Sequence, residues 1–331
     1  MTLEMKILVT GGAGFIGSHL AESLLKDRHM VTIIDDLSTG RMENISGFAH
    51  NKNLSVYIDT ILNENLMRKL ISKSDFIYHL AAAVGVKYVI ENPLRSIQAN
   101  VRGAEIVLEL ADELSKRNHK KKVLLASTSE VYGKNKRIPF KEDDDRVMGP
   151  TTISRWSYSC AKALDEFFAL AYYKEKGLPV IIVRLFNTCG PRQVGDYGMV
   201  IPRFIDQAIS NKPVTVYSDG KQTRSFLYVG DAIGAMKLLS SHPKAIGEIF
   251  NIGSPERVTI KELAKRIINL VKSKSKIQHI PYEEVYRNHF EDMRHRLPDT
   301  NKIKNLTGFK PNYNLDDILK EMISERRTKC H

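Results

Sequence analysis

The chain is poor in cysteine, in tryptophan and in long apolar runs, and each shortage excludes something. Its 331 residues hold three cysteines, Cys160, Cys189 and Cys330, and one tryptophan. Three is an odd number, and the spacings match no metal-binding pattern. A disulfide framework and a metal site are therefore not expected, and a reducing compartment is. No apolar run approaches the ~18 residues that a membrane span needs, so no membrane partner is expected. The first strand-like run starts at Lys6, which leaves no room for a signal peptide. These absences point to a cytoplasmic protein. Internal repeats and low-complexity segments are missing as well. The net charge of +12 brings no nucleic-acid motif with it, because the positive residues are scattered. An anionic small substrate accounts for it more simply. Lys120-Lys121-Lys122 is the longest basic run and is expected in solvent ahead of an apolar strand.

What is present begins at Lys6. Lys6 to Thr10 reads as a short apolar strand, followed by a glycine turn with Gly11, Gly14 and Gly17 at every third position and by a helix start through Phe15 and Ile16. Such a turn lets backbone approach a pyrophosphate, and the helix beginning there points free N–H groups at the same phosphates. About twenty residues on, the run Met30 to Ile34 ends in Asp35-Asp36, where an acid can accept from a ribose 2′-hydroxyl. A 2′-phosphate beside Asp35 would be repelled, so the cofactor is expected to be NAD rather than NADP.

Further strand-like runs follow at 54–58, 76–80, 123–126 and 180–183, with helical stretches between them near 63–72, 93–116 and 156–175. This alternation predicts a doubly wound parallel α/β sheet of the Rossmann type. The run at 76–80 ends in Leu80-Ala81-Ala82, small enough to let a ligand lie across the sheet edge. Ala99, Val101, Ala104, Val107, Leu108 and Ala111 give 93–116 an apolar face. The charged stretch from Lys134 to Ser154 is expected as a solvated loop. Residues 1–187 are assigned to the dinucleotide-binding domain, to which a segment at about 226–252 returns. Residues 188–325 are read as a smaller mixed α/β substrate domain, with helices near 260–271 and 315–324. The tail 326–331 is expected to fray.

Tyr158 and Lys162 stand four apart on a predicted helix and share one face. A tyrosine with its usual pKa of ~10 is a poor base at neutral pH. A lysine ammonium within ~4 Å offers roughly 4 kcal/mol at an effective dielectric near 20, or about three pKa units. The pair is thus expected to take the proton of an alcohol whose carbon gives a hydride to NAD. Thr128, at a strand end, is expected to hold the same oxygen.

With these motifs in order, the chain resembles the extended short-chain dehydrogenase/reductases that act on nucleotide sugars, over about residues 5–325. The residues that carry the likeness are Thr10 to Gly17, Asp59, His79 to Ala82, Asn100, Ser127 to Gly133, Tyr158 to Lys162, Arg184 to Asn187, Val214 to Arg224 and Tyr228 to Asp231. The resemblance implies a tightly held NAD that oxidises the sugar at C4 and is reduced again within one turnover. It assigns Asp59 to the adenine and Asn187 and Arg224 to the substrate diphosphate. A guanidinium suits phosphate oxygens on its own chemistry. Tyr217 and Arg192 join the substrate candidates, and a homodimer paired through the two long helices is expected.

The resemblance extends to the reaction. Ser127-Thr128-Ser129-Glu130 lacks the Asp-Glu pair that 4,6-dehydratases carry after the threonine, which disfavours dehydration. Ser127 to Gly133 and Arg294 to Asp299 resemble UDP-glucuronate decarboxylases, with Arg296 at the position of a catalytic arginine. Glu130 is then expected to move protons at C5, and Arg296 to stand beside the departing carboxylate. The loop Ala83-Val84-Gly85-Val86-Lys87 lacks the prolines of typical decarboxylases, and a UDP-hexose or UDP-hexuronate 4-epimerase stays open as the alternative. A 4,6-dehydratase and an idle NAD-binding regulator are weaker readings, the last opposed by the intact Thr128, Tyr158 and Lys162.

Overall fold

A computed structural model describes residues 4–116, 120–195, 199–286 and 291–329. Alternating apolar runs and amphipathic stretches fold into a parallel sheet with helices on both faces. The strands are β1 (Lys6–Thr10), β2 (Met30–Asp35), β3 (Leu54–Ile58), β4 (Phe76–His79), β5 (Lys122–Thr128) and β6 (Val180–Leu185). A seventh strand, Ile249–Ile252, adds in parallel to β6, so the edge of the sheet is drawn from late in the chain. From that edge the order runs through β6, β5, β4 and β1 to β2 and β3. The order reverses between β1 and β4, and such a reversal opens a crevice at the strand ends.

The helices on this sheet are α1 (Phe15–Lys26), α2 (Glu64–Ser72), α3 (Val86–Glu91), α4 (Pro93–Glu113) and α5 (Arg155–Ala171). Ala104, Val107, Leu108 and Ala111 on α4 are fully buried, as the 3.6-residue spacing predicts. Packed apolar layers cover the sheet on both sides, one built around Val9, Leu20 and Ile33, the other around Leu8, Ile77 and Val107. A third core gathers Phe204, Val216, Leu263 and Ile318 from the later part of the chain. Helices Ile260–Val271 and Leu315–Lys329 pack there.

Several expectations give way to packing. The stretch 134–154 carries no helix, but it is not simply a solvated loop. Phe140 is fully buried and stacks on Tyr132 at 4.6 Å. Lys121 is buried, its ammonium donating to the carbonyls of Ser72 and Ser74. The C-terminal helix continues to Lys329, because Arg326 donates to the Gln193 carbonyl and Arg327 to that of Val271. The expected fraying therefore does not hold for 326–329; Cys330 and His331 lie outside the described residues. Helix α5 ends at Ala171 and passes into a wider turn at Tyr172–Lys176 before Gly177-Leu178-Pro179.

Beneath the strand ends lies a buried polar network. Arg184 on β6 forks onto Glu166 of α5, with Nε and Nη2 at 2.9 and 2.8 Å from the two carboxylate oxygens. Its Nη1 donates to Tyr132 Oη and to the Glu142 carbonyl. Ser127 Oγ donates to Glu166, and Tyr132 Oη to Asn251 Oδ1. A buried pair broken on one side leaves an uncompensated charge, at about 3–5 kcal/mol. Arg184→Met is therefore expected to lower the free energy of unfolding by about that amount, read from urea denaturation. A loss below about 1 kcal/mol would mean that Glu166 finds another partner or a proton.

Candidate active site

The ends of β1, β4, β5 and β6 open onto one cleft of about 490 Å³, lined from Gly11 on β1's turn to Arg296 in the later part of the chain. Its first wall is the glycine turn. Gly11 has φ +71°, and a Cβ there would stand 2.8 Å from the Ala81 backbone nitrogen. A Cβ on Gly17 would stand 2.0 Å from the Gly11 carbonyl. Both positions therefore exclude any side chain, and α1 starts hard against the strand ends. Gly14 caps α1 without a side-chain hydrogen bond, and the first turn carries no acid. Its N–H groups face the cleft beside Phe15 and Ile16, an arrangement suited to a pyrophosphate.

Asp35 lines the same wall. Its Oδ2 accepts from Ala13 N and its Oδ1 from Leu37 N, each at 2.9 Å. Burial raises its pKa, and those backbone donors oppose the rise. Each oxygen keeps lone-pair capacity for a ribose hydroxyl. Asp59 is not in the cleft wall. Its carboxylate accepts from Thr60 N and Asn63 Nδ2, and the wall there is Thr60, Ile61 and Leu62. Leu80, Ala81 and Ala82 line the cleft at the end of β4. Thr10 Oγ1 accepts from Ala81 N, and Asn100 of α4 bonds both backbone groups of Ala83, which fixes this segment. The turn, the acid and the small strand end together fit a dinucleotide laid across the sheet edge.

Thr128 and Tyr158 meet in the cleft, joined by a side-chain hydrogen bond. Tyr158's pKa is raised, above all by burial and then by the negative charge of Glu130. This is opposite to the direction expected from Lys162. The physical reason is visible one turn further along α5, where Lys162 Nζ is paired with Asp165 Oδ2 at 2.7 Å, both buried. The ammonium is spent on its neighbour, and desolvation governs the phenol.

Beyond Tyr158 the wall becomes charged. Glu130 sits in the 3₁₀ turn that follows β5 and is buried. Arg296 Nη1 lies 3.0 Å from Glu130 Oε1, and Arg155 Nη2 lies 3.3 Å from the same oxygen. Arg155 Nη1 and Arg224 Nη2 both donate to Asp292 Oδ1, each at 3.0 Å. Arg224 Nη2 also reaches Asp292 Oδ2 at 2.9 Å, and Tyr282 Oη donates there at 2.8 Å. Burial works to raise Glu130's pKa, but the Arg155 and Arg296 charges carry it below the usual carboxylate range. Asp292 is held well below that range by Arg224 and Arg155 against the same burial. Burial pushes the Arg296 guanidinium down to about 10, with Arg224 and Arg155 adding to the fall. Its Nε is buried with no hydrogen-bond partner among the described residues. Three guanidiniums against two carboxylates leave this end of the cleft positive.

The remaining candidates divide. Asn187 lines the cleft, with its amide donating to the Ser225 carbonyl. Tyr217 lines it too, with the Arg203 guanidinium 3.9 Å above its ring. Arg192 does not line it. It bonds Ser18 and Glu22 of α1, so it braces that helix instead of facing a substrate. Arg155, Tyr282 and Asp292 were not among the sequence candidates. Arg155 had one available signal, since it stands three residues before Tyr158 and shares its helix face. Asp292 had none of its own, standing two residues before the Arg294 to Asp299 stretch.

Comparison with known proteins gives this geometry its relatives. A family profile described as GDP-mannose 4,6 dehydratase matches residues 8–322. A UDP-N-acetyl-alpha-D-glucosaminuronate decarboxylase of Bacillus cytotoxicus is 45% identical over 97% of both chains. UDP-glucuronic acid decarboxylase 1 of Danio rerio is 37% identical over 96% of this chain and 72% of its own. The crystal structure of a Bacillus cereus UDP-glucuronic acid 4-epimerase, in complex with UDP-glucuronic acid and NAD, superposes with a TM-score of 0.87. It is 29% identical and covers 98% of this chain and 100% of its own. The chain belongs to the GDP-mannose 4,6-dehydratase family, within the extended short-chain dehydrogenase/reductases of nucleotide sugars.

Proposed function

We propose that this protein is an NAD-dependent decarboxylase of a UDP-linked hexuronate. The observation that carries the reading is Glu130, held by Arg155 and Arg296 beside the Thr128–Tyr158 pair. A proton-moving group suited to a sugar C4 hydroxyl and a positive end suited to a carboxylate then line one cleft. The two decarboxylases quoted above support the same reaction.

In this reading the bound NAD supplies the hydride acceptor at C4. Thr128 donates to the C4 oxygen and Tyr158 accepts its proton. Burial and Glu130 favour the neutral phenol at Tyr158, so proton acceptance needs positive charge beyond that of Lys162, which is paired with Asp165, and the nicotinamide cation of NAD would supply it. The resulting 4-ketone makes the C6 carboxylate a β-keto acid. Loss of CO₂ leaves its electron pair at C5 as an enolate, and the Glu130 carboxylate relays to C5 a proton taken from water. Arg296 stands beside the departing carboxylate. Return of the hydride to C4 closes the internal redox cycle and gives a UDP-pentose. Asn187, Tyr217 and Arg224 are read as holding the nucleotide diphosphate, and Asp59 as bracing the Thr60 to Leu62 wall on the adenine side. Residues 1–187 with the returning segment form the cofactor part, and 188–325 the substrate part. The free thiols Cys160 and Cys189 agree with a cytoplasmic location.

The Bacillus cereus neighbour favours the 4-epimerase as the second reading. A proton NMR time course separates them. UDP-glucuronate and its 2-acetamido analogue are each expected to lose the C5 carboxylate and yield a UDP-pentose. Recovery of the intact uronate with C4 inverted would establish the epimerase instead. Tyr158→Phe is expected to lower kcat by about 10²–10⁴-fold, the usual contribution of a positioned proton-transfer group. Unchanged turnover would remove Tyr158 from the mechanism.

A homodimer belongs to the same proposal. Leu94 and Ile97 on α4, and Leu164 and Phe167 on α5, stand exposed, with Leu94 at 68% and Phe167 at 57%. These helices pack side by side, so the four residues can join one apolar surface. Sedimentation is expected to give twice the 37.6 kDa chain mass, and Leu94→Glu with Phe167→Glu to give the single mass. A monomeric wild type would overturn the dimer.

A further inference from the structure

The mechanism above uses Glu130 and Arg296 and leaves a buried charge without a task. Arg155 opens α5 one turn before Tyr158 and is 2% exposed. Its guanidinium is shared between two acids that are far apart in the chain. Nη2 donates to both oxygens of Glu130, at 3.3 and 3.5 Å. Nη1 donates to Asp292 Oδ1 and to the Glu291 carbonyl, each at 3.0 Å. Among the described ion pairs of this cluster, Arg296 meets Glu130 and Arg224 meets Asp292, whereas Arg155 meets both.

We propose that Arg155 is a positioning residue for the step at C5. It fixes the Glu130 carboxylate relative to Tyr158 and ties it, through Asp292, to the arginine on the diphosphate side. The coupling of Arg155 to Glu130 stands on the geometry alone; the identity of the step rests on the decarboxylase reading.

Glu130 has three side-chain torsions and comes from a short turn, so its carboxylate is not placed by its own backbone. Arg155 and Tyr158 are neighbours on one helical face, with Cβ atoms about 5–6 Å apart. The group for C4 and the anchor of the group for C5 thus ride on a single rigid helix. Arg296 comes from the two-residue strand His295–Arg296, in the later part of the chain. Without Arg155, Glu130 keeps only that partner and is drawn toward it and away from α5. A misplacement of about 1 Å is enough to slow a step by about 10²-fold. The first step at C4 uses Thr128 and Tyr158 and does not need Glu130, so the two halves of the reaction are expected to separate. Loss of Arg155 also removes one of the charges that hold Glu130's carboxyl below its ordinary range, with Arg296, Arg224, Asp292 and Tyr158 as the other groups facing it.

The test places Arg155→Gln and Arg155→Lys in the wild type and in Glu130→Gln, each loaded with NAD. Absorbance at 340 nm follows oxidation at C4, and NMR follows the sugar product. Arg155→Gln is expected to form NADH at close to the wild-type rate and to slow product formation by about 10–10²-fold, so that NADH accumulates. The acid limb of the product rate should move to higher pH, because a carboxylate that loses a cation has its pKa raised. Arg155→Lys should recover part of the loss, since an ammonium restores the charge but not the fork. In Glu130→Gln, adding Arg155→Gln should change the product rate by less than about twofold, the mark of residues acting as one unit. Equal slowing of both steps, or full multiplication of the Glu130→Gln loss, would overturn the proposal. Should Arg155→Gln fail to fold, the lysine variant is expected to show the same split and the same non-additivity on a smaller scale. If the wild type inverts C4 without losing CO₂, the decarboxylase reading fails, and the same non-additivity measured on the epimer rate decides for or against Arg155.

Discussion

Everything at the reactive end of this molecule depends on a buried balance of charge. Glu130 and Asp292 are set among Arg155, Arg224 and Arg296; Glu130, Arg155 and Arg224 are buried, and Asp292 and Arg296 are half-buried. Each ion placed there loses several kcal/mol of hydration, and only close, well-directed partners offset the loss. Two carboxylates cannot neutralise three guanidiniums. The surplus is one positive charge, which suits an anionic ligand. The cluster also has a structural effect. Its members come from the turn after β5, the first turn of α5, the short strand at 223–224 and the region 291–296, so the electrostatics of the site join the early and late parts of the chain.

The sheet makes that junction possible. β5 carries Ser127 and Thr128 at its end, and the turn that follows carries Glu130. β6 carries Arg184, whose fork onto Glu166 anchors α5 from below. Helix α5 is therefore held at two levels, by Glu166 under the strand ends and by Arg155 above them. Tyr158 lies between these two anchors. A tyrosine that must meet a substrate oxygen within hydrogen-bond reach gains from a helix fixed at both points, because small displacements are multiplied in the rate.

Sequence reasoning reaches the repeated parts of this architecture and misses the parts made by distant contacts. The alternation of apolar runs and amphipathic stretches identifies β1 to β6 and the helices between them, because period 2 and period 3.6 are local properties. Part of the glycine turn is legible for the same reason, since Gly17 is required by the Gly11 carbonyl six residues earlier, whereas Gly11 is pressed by Ala81 from the end of β4. The seventh strand's neighbour is not local, and only the fold brings Ile249–Ile252 beside β6. Phe140 looks like one apolar residue in a charged loop until Tyr132 and Phe186 are placed around it. Arg192 reads as a phosphate ligand until Glu22 is found beside it. Asp292 has no local signature, and its partners lie 68 and 137 positions earlier in the chain. The direction of Tyr158's pKa was misjudged because helical spacing identifies the neighbouring lysine but says nothing of Asp165, which takes that lysine's charge.

The opposed surroundings of Tyr158 and Glu130 set how the cleft works. Two titratable groups share it, and their surroundings drive them apart. Tyr158 is pushed toward the neutral phenol by burial and by Glu130, while Glu130 is kept a carboxylate by Arg155 and Arg296. Groups separated in this way mark the acid and base assignments of a site. The same cleft thus favours a charged Glu130 and a neutral Tyr158. A neutral phenol is a poor proton acceptor, and its surroundings restrain it from becoming a better one. Glu130's own charge is part of that restraint, since it is the second-largest cause of the rise at Tyr158. One carboxylate is therefore both held by Arg155 and Arg296 and felt by Tyr158.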